Sequence, residues 1–177
     1  MTNKLTLGID PGQTGAIAII ADGVPVGFID MPTIPRKSSG EEIDCATLAD
    51  RLRDILAAHP GARVRAALEQ VNAMPSYGGA GVERRSMGAT SAMRFGESFG
   101  AIKGVLGSLR ISYEMVGAQA WKKKFGLIGT EKDVARTIAI QRYPEMASQL
   151  CRKKDIGRAD ALLIGTWCDL NAERDAA

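Results

Sequence analysis

Asp10, Glu69 and Asp160 each put a carboxylate where a regular element begins or ends. Asp10 closes the apolar alternation Leu5, Leu7, Ile9 and precedes Pro11-Gly12, a turn with room for a ligand; a simple turn-forming Asp before Pro has the same pattern. Glu69 follows the apolar run Val64 to Leu68, whose interior would not tolerate an unpaired charge, although a solvated strand end would. Asp160 lies one turn into the run Gly157 to Ile164, where the bland alternative is to complement a helix dipole at about 0.3–1 kcal/mol. Each acid alone is ambiguous, but three at the element ends of one sheet are much harder to dismiss together. Carboxylates within a few ångströms repel and raise one another's pKa, so a cluster of them calls for cations. Oxygen-only ligation favours Mg²⁺ or Mn²⁺, and two such ions roughly 3.5–4 Å apart activate water and stabilise the leaving oxygen of a phosphodiester. The chemistry expected of the trio is that of a nuclease.

Other donor sets are poor. Cys45, Cys151 and Cys168 are widely spaced with no C-x-x-C pair and His59 is the single histidine, so neither a zinc site nor a disulfide framework is expected. His59 before Pro60 reads as a helix end rather than a catalyst. Basic residues do gather. Lys122, Lys123, Lys124 and Lys132 follow the third core strand, where they are placed to meet phosphates or simply to solvate a face. A Gly-rich loop from Pro75 to Gly88 carries Tyr77, Arg84 and Arg85, further candidates for DNA contact, or plain surface.

The elements that must position these groups are legible as periodicity. Lys4 to Asp10 reads as a buried strand, and Thr14 to Ile20 with Val24 to Ile29 as a hairpin turned at Asp22-Gly23. Pro32 to Glu42 is rich in breakers. Asp44 to His59 carries Leu48, Leu52, Ile55 and Leu56 at helical spacing and stops at Pro60-Gly61. Val64 to Leu68 and Ile111 to Val116 are further core strands, separated by a helical pattern from Ala89 to Leu109. Gln119 to Lys124, Glu131 to Tyr143 and Gly157 to Ala172 read as later helices, with Pro144 between the last two. The order predicts an α/β fold: a mixed five-stranded sheet, three strands antiparallel and the rest alternating with helices on both faces. In such sheets strand ends and helix starts converge, which is where the three acids lie.

A chain of 177 residues with 45% hydrophobic and 24% charged residues fits a single domain over 1–177 with a sizeable core. The net charge of +3 excludes a general polycation, so a nucleic-acid surface must be a local patch. No run approaches the roughly 18 apolar residues of a membrane helix, and the start lacks the order of a signal peptide. A cytoplasmic protein with no membrane partner is expected.

Gly8-Ile9-Asp10-Pro11-Gly12, Leu68-Glu69-Gln70-Val71 and Arg158-Ala159-Asp160-Ala161-Leu162, in this order and at these separations, resemble the RuvC-type Holliday junction resolvases, especially their phage and prophage branch. Met93-Arg94-Phe95-Gly96, Ser98-Phe99-Gly100, Ala120-Trp121-Lys122-Lys123 and Lys153-Lys154-Asp155 extend the resemblance over nearly the whole chain. The first motif alone is shared with actin-like ATPases and sugar kinases; the three together are specific. The resemblance implies a ribonuclease H-like fold, two divalent ions per site, hydrolysis of four-way or branched DNA leaving 5′-phosphate and 3′-hydroxyl ends, a homodimer, and the interior of a bacterial or phage-infected bacterial cell. It implies that Asp10, Glu69 and Asp160 bind metal. It also implies that Lys122 and Lys132, with Lys123 beside them, lie near the scissile phosphate, and that Met74 or Tyr77 probes junction bases. Tyr77 offers the better stacking face.

One departure stands out. Members of the branch carry a stretch resembling Lys-Asp-His-Gly-Arg-Ala before the last acid, whereas this chain has Asp155-Ile156-Gly157-Arg158-Ala159. Ile156 cannot bind a metal, so Asp155, five residues before Asp160, is the remaining candidate for a fourth ligand. A junction-binding protein with impaired or lost catalysis is therefore the alternative to a junction endonuclease. An actin-like ATPase ranks last, since 177 residues leave no room for a second large domain. Gly96, Gly100 and Gly104 share one helix face and cost roughly 1 kcal/mol each against Ala, which suggests close approach of another backbone, from the chain's own sheet or from a second copy.

Overall fold

The strand β1 (Lys4–Ile9) is covered on both faces, with every residue from Leu5 to Ile9 buried, as a central strand must be. The computed structural model describes residues 2–37, 39–70 and 88–175. In it β1 is the middle of a five-stranded sheet of order β3 (Val24–Asp30), β2 (Ala16–Ala21), β1, β6 (Arg63–Gln70), β7 (Tyr113–Gly117). The strands β2 (Ala16–Ala21) and β3 (Val24–Asp30) are antiparallel to their neighbours. The turn between them places Asp22 at φ 49° and Gly23 at φ 83°, the paired left-handed residues of a two-residue hairpin. On the other side β6 (Arg63–Gln70) and β7 (Tyr113–Gly117) run parallel to β1. The mixed sheet expected from the sequence is the one present.

Alternation along the strands divides the core in two. Leu5, Leu7, Ile9, Ile17, Ile19 and Leu68 pack beneath α1 (Cys45–Ala58) and α2 (Ala89–Ser108). On the opposite face Ala18, Ile20, Ala67 and Val116 pack beneath α3 (Ala118–Lys124), α4 (Val134–Arg142) and α5 (Ile156–Asp175). Asp44 caps α1, accepting from the Thr47 backbone N–H at 3.0 Å and from its hydroxyl at 2.6 Å.

Three details depart from the expectation. The breaker-rich stretch after Pro32 forms a small second sheet, β4 (Thr33–Pro35) with β5 (Glu41–Ile43), because Arg36 ties it together by donating to the Glu41 carbonyl at 2.9 Å. The helix expected from Glu131 begins only at Val134. Finally, a Cβ built at Gly96, Gly100 or Gly104 meets nothing within 4 Å among the described residues, so the chain's own sheet is not what this face approaches.

The close approach lies elsewhere. A Cβ at Gly8 would fall on the Ala161 carbonyl oxygen and 2.7 Å from the Gly165 Cα, so α5 rests directly on the backbone of β1. At the start of α5, a Cβ at Gly157 would meet the Thr14 carbonyl oxygen and lie 2.9 Å from the Gly15 Cα. Two glycine contacts thus fix both the height and the entry point of α5 over the sheet.

Candidate active site

The register of the central strands brings the first two acids together. Ile9 pairs with Leu68, so the next residue on each parallel strand, Asp10 and Glu69, emerges on the α5 face of one sheet edge. Asp10 is held at the turn by its own N–H, which donates to the Ala16 carbonyl at 3.0 Å, while the Gly12 N–H donates to its Oδ1 at 3.2 Å. Gly157, packed on Gly15, brings the first turn of α5 over that loop and sets Asp160 beside Asp10.

Electrostatics report the same proximity. Burial, reinforced by the Glu69 charge, raises the Asp10 pKa to about 6 against the stabilising Gly12 N–H and the Lys122 and Lys132 ammonium groups. Burial, then the charges of Asp10 and Glu69, raises Asp160 to about 7, again opposed by Lys122 and Lys132. The three carboxylates therefore repel one another in a partly covered place, and the two lysines only partly relieve them. Among the described residues no three His, Cys, Asp or Glu side chains are placed to share one ion as they stand. The donor set itself, all hard oxygen with two acids pushed toward neutral pKa by burial and then by like charge, suits Mg²⁺ or Mn²⁺ and suits no softer ion.

Glu69 has a fixed partner. The Trp121 Nε1–H donates to its Oε1 at 3.0 Å, from a ring with no exposed surface. The Lys122 ammonium lies 5.2 Å from the centroid of that ring. Around these groups opens a cleft of about 470 Å³, with Asp10 and Asp160 on its floor and Lys122, Lys132, Lys153 and Lys154 among its walls. Lys123 is exposed on α3 outside the cleft lining. Tyr77, Arg84 and Arg85, with Met74, lie outside the described residues.

Asp155 is placed differently from the trio. Only 2% exposed, it caps the short 3₁₀ turn Lys153–Asp155, accepting from the Arg152 backbone N–H at 2.8 Å and from its guanidinium Nη2 at 2.8 Å. The Arg152 hydrogen bonds hold its pKa below the usual carboxylate range. Asp155 borders a neighbouring depression with Asp30 and Arg152, whereas Ile156 lines the cleft of Asp10 and Asp160. Arg158, within the motif of Asp160, turns away to grip both Asp30 oxygens at 2.5 and 2.6 Å and so ties α5 to the end of β3. We expect Asp155→Asn to lower stability by about 1–3 kcal/mol, because a buried carboxylate hydrogen-bonded to a cation is lost, and to leave the metal-concentration dependence of any activity unchanged. Thermal melts beside metal titrations check this; a shifted metal requirement would instead put Asp155 on the ion.

Sequence reasoning passed over three things here. Trp121 enters the sequence reading only as part of a motif, although a buried indole N–H needs an acceptor and a motif acid is a candidate. Lys153 and Lys154 carry no spacing signal that sets them in the same cleft as Lys122 and Lys132. The glycines Gly8, Gly15, Gly157 and Gly165 were not singled out; the signal available was a glycine in the middle of an otherwise apolar central strand.

No protein-family model matches the sequence, and no curated protein does. Solved structures do. The RuvC of Thermus thermophilus in complex with a Holliday junction substrate is 15% identical, with a TM-score of 0.62 over 98% of this chain and 97% of that one. Another Thermus thermophilus RuvC structure is 14% identical, with a TM-score of 0.51 over 97% and 96%. At such identities the likeness is one of architecture, matching the strand order and the helices above. The chain therefore has the RuvC-like, ribonuclease H-like fold.

Proposed function

We propose that the chain is a divalent-metal-dependent endonuclease that hydrolyses four-way or otherwise branched DNA. The observation that carries this is the meeting of Asp10, Glu69 and Asp160 at one sheet edge, with Asp10 and Asp160 lining a cleft that Lys122, Lys132, Lys153 and Lys154 also line, on a fold shared with a junction-bound RuvC. In this reading the three carboxylates hold Mg²⁺ or Mn²⁺, up to two ions. When bound there, such ions would supply activation of water at neutral pH and charge stabilisation at the leaving oxygen. The protein's own groups do the rest. Lys122 and Lys132 face the acids and offset their charge, and the same ammonium groups attract a phosphodiester into the cleft. Trp121 keeps the Glu69 carboxylate in one orientation. Asp10 and Asp160, with pKa values near 6 and 7, must shed protons before they bind cations, so metal affinity should rise as pH climbs through that window.

The whole chain would form one nuclease domain acting in the cytoplasm as a homodimer, since a two-fold pair of sites matches the two strands cut in a four-way junction. The face of Gly96, Gly100 and Gly104 is open among the described residues and is a candidate contact for that second copy. Sedimentation with and without junction DNA tests it, and a monomeric mass in both would remove the homodimer.

A second reading, a junction-binding protein with impaired catalysis, is favoured by one observation: Ile156 lines the cleft while the adjacent Asp155 is committed to Arg152. Nicking of a synthetic four-way junction under Mg²⁺, Mn²⁺ and chelator separates the two. Metal-dependent nicks support the endonuclease, and tight binding without nicks supports the binding protein. Lys122→Gln and Lys132→Gln should each weaken junction binding and reduce the dependence of log affinity on log salt by about one unit. An unaltered salt slope would place phosphate contacts elsewhere.

A further inference from the structure

The indole of Trp121 is fully buried and has a single polar atom, a donor that must find an acceptor. A backbone carbonyl would have served a purely structural ring. Instead Nε1 donates at 3.0 Å to Oε1 of Glu69, the acid whose charge helps raise both Asp10 and Asp160. The linkage between them is short and stiff. Glu69 pairs across the sheet with Val116, β7 ends at Gly117, and α3 starts at Ala118, so the ring comes from the first turn after Glu69's own strand partner. Lys122, the next residue, keeps its ammonium 5.2 Å from the ring centroid. One rigid aromatic plate therefore contacts both a cluster carboxylate and a lysine of the cleft wall.

We infer that Trp121 is a positioning residue that fixes the Glu69 carboxylate for cation binding and that its emission reports occupancy of the site. This rests on the reading of the three acids as a metal site and deepens it. A neutral donor on one carboxylate oxygen selects a rotamer without cancelling the charge, leaving the other oxygen for an ion. Groups that orient metal ligands in this way typically account for 10–100-fold in metal affinity or activity.

The sequence contains two tryptophans, so Trp167→Phe leaves Trp121 as the single indole. In that protein, titration with Mg²⁺ or Mn²⁺ should change the emission saturably, and adding Glu69→Gln should abolish the response. Replacing Trp121 in the same background by its benzothiophene analogue, in which sulfur takes the place of the ring N–H, preserves ring volume and removes only the donor. That variant should melt close to its parent, bind Mn²⁺ about 10-fold or more weakly by calorimetry, and need correspondingly more metal to nick a junction, with a rate at saturating metal near that of the parent. Trp121→Phe should move in the same direction, with an added stability loss from the cavity. Equal metal affinity for parent and analogue, in a parent that does bind metal, overturns the positioning role while leaving the metal site standing. A parent that neither binds Mg²⁺ or Mn²⁺ nor nicks DNA overturns the metal-site reading itself, and the inference falls with it.

Discussion

Asp160→Asn will abolish nicking of a four-way junction, by about three orders of magnitude or more, and will at the same time make the metal-free protein more stable at neutral pH. The first effect follows from removing a charged metal ligand, whose contribution to the transition state is several kcal/mol at about 1.4 kcal/mol per tenfold in rate. The second follows from linkage. The Asp160 pKa is raised in the folded chain from 3.8 to about 7, by burial and then by Asp10 and Glu69, so between about pH 4 and 7 the native state binds more protons than the unfolded one. Stability therefore falls as pH rises through that window, and the loss is complete above it. Asn never ionises and relieves Asp10 of a like charge as well. The gain is on the order of a few kcal/mol, because one pKa unit is worth about 1.4 kcal/mol, and a chain of this size gains about 2–4 °C per kcal/mol. Mg²⁺ should stabilise the parent and not the variant. Melts at pH 5 and 7.5, with and without Mg²⁺, check it. A variant that nicks at the parent rate, or melts below the parent in chelator at pH 7.5, defeats the assignment of Asp160.

The parts of this site legible in the sequence are those governed by periodicity and by side-chain chemistry. Alternation in Leu5, Leu7, Ile9 and in Val64 to Leu68 marks two central strands, and an acid at the end of each is a local fact that the register Ile9 to Leu68 converts into a pair. The helical run Gly157 to Ile164 marks Asp160, the order of elements gives the mixed α/β sheet, and the family resemblance implies its ribonuclease H-like form. What stayed hidden depends on three-dimensional neighbours. Nothing in the run Arg152 to Asp155 says that the carboxylate folds back on Arg152 instead of facing the cleft, since both outcomes satisfy an acid beside a helix start. Equally, glycines suggest close approach at Gly96, Gly100 and Gly104, where the described residues offer only open space, and the close approach falls instead at Gly8 and Gly157, where backbone meets backbone. A glycine's cost in a helix is a property of the sequence, but its compensation is a property of whatever lies opposite.

Gly8→Ala should for that reason be the most damaging single methyl added to the protein. The new Cβ would clash with the Ala161 carbonyl oxygen and with the Gly165 nitrogen and Cα, all backbone atoms of α5 that have no rotamer to yield. Relief requires α5 to lift off β1, which opens the apolar contacts of Leu162, Ile164 and Cys168 and withdraws Asp160 from Asp10. Over-packing of this kind costs about 3 kcal/mol or more when the obstacle is backbone. Gly165→Ala is milder, since its nearest obstacle, Ile20 Cδ1 at 2.8 Å, ends a side chain that can turn, while the Gly8 atoms stand back at 3.2 Å. Gly96→Ala meets nothing within 4 Å among the described residues and should stabilise α2 by up to about 1 kcal/mol. The expected order of thermal midpoints is Gly96→Ala above parent, then Gly165→Ala, then Gly8→Ala. Nicking should fail in Gly8→Ala even below its melting temperature, because displacement of α5 separates the two acids. A Gly8→Ala protein that melts with the parent and retains its metal affinity would show that α5 does not rest on β1 at this point.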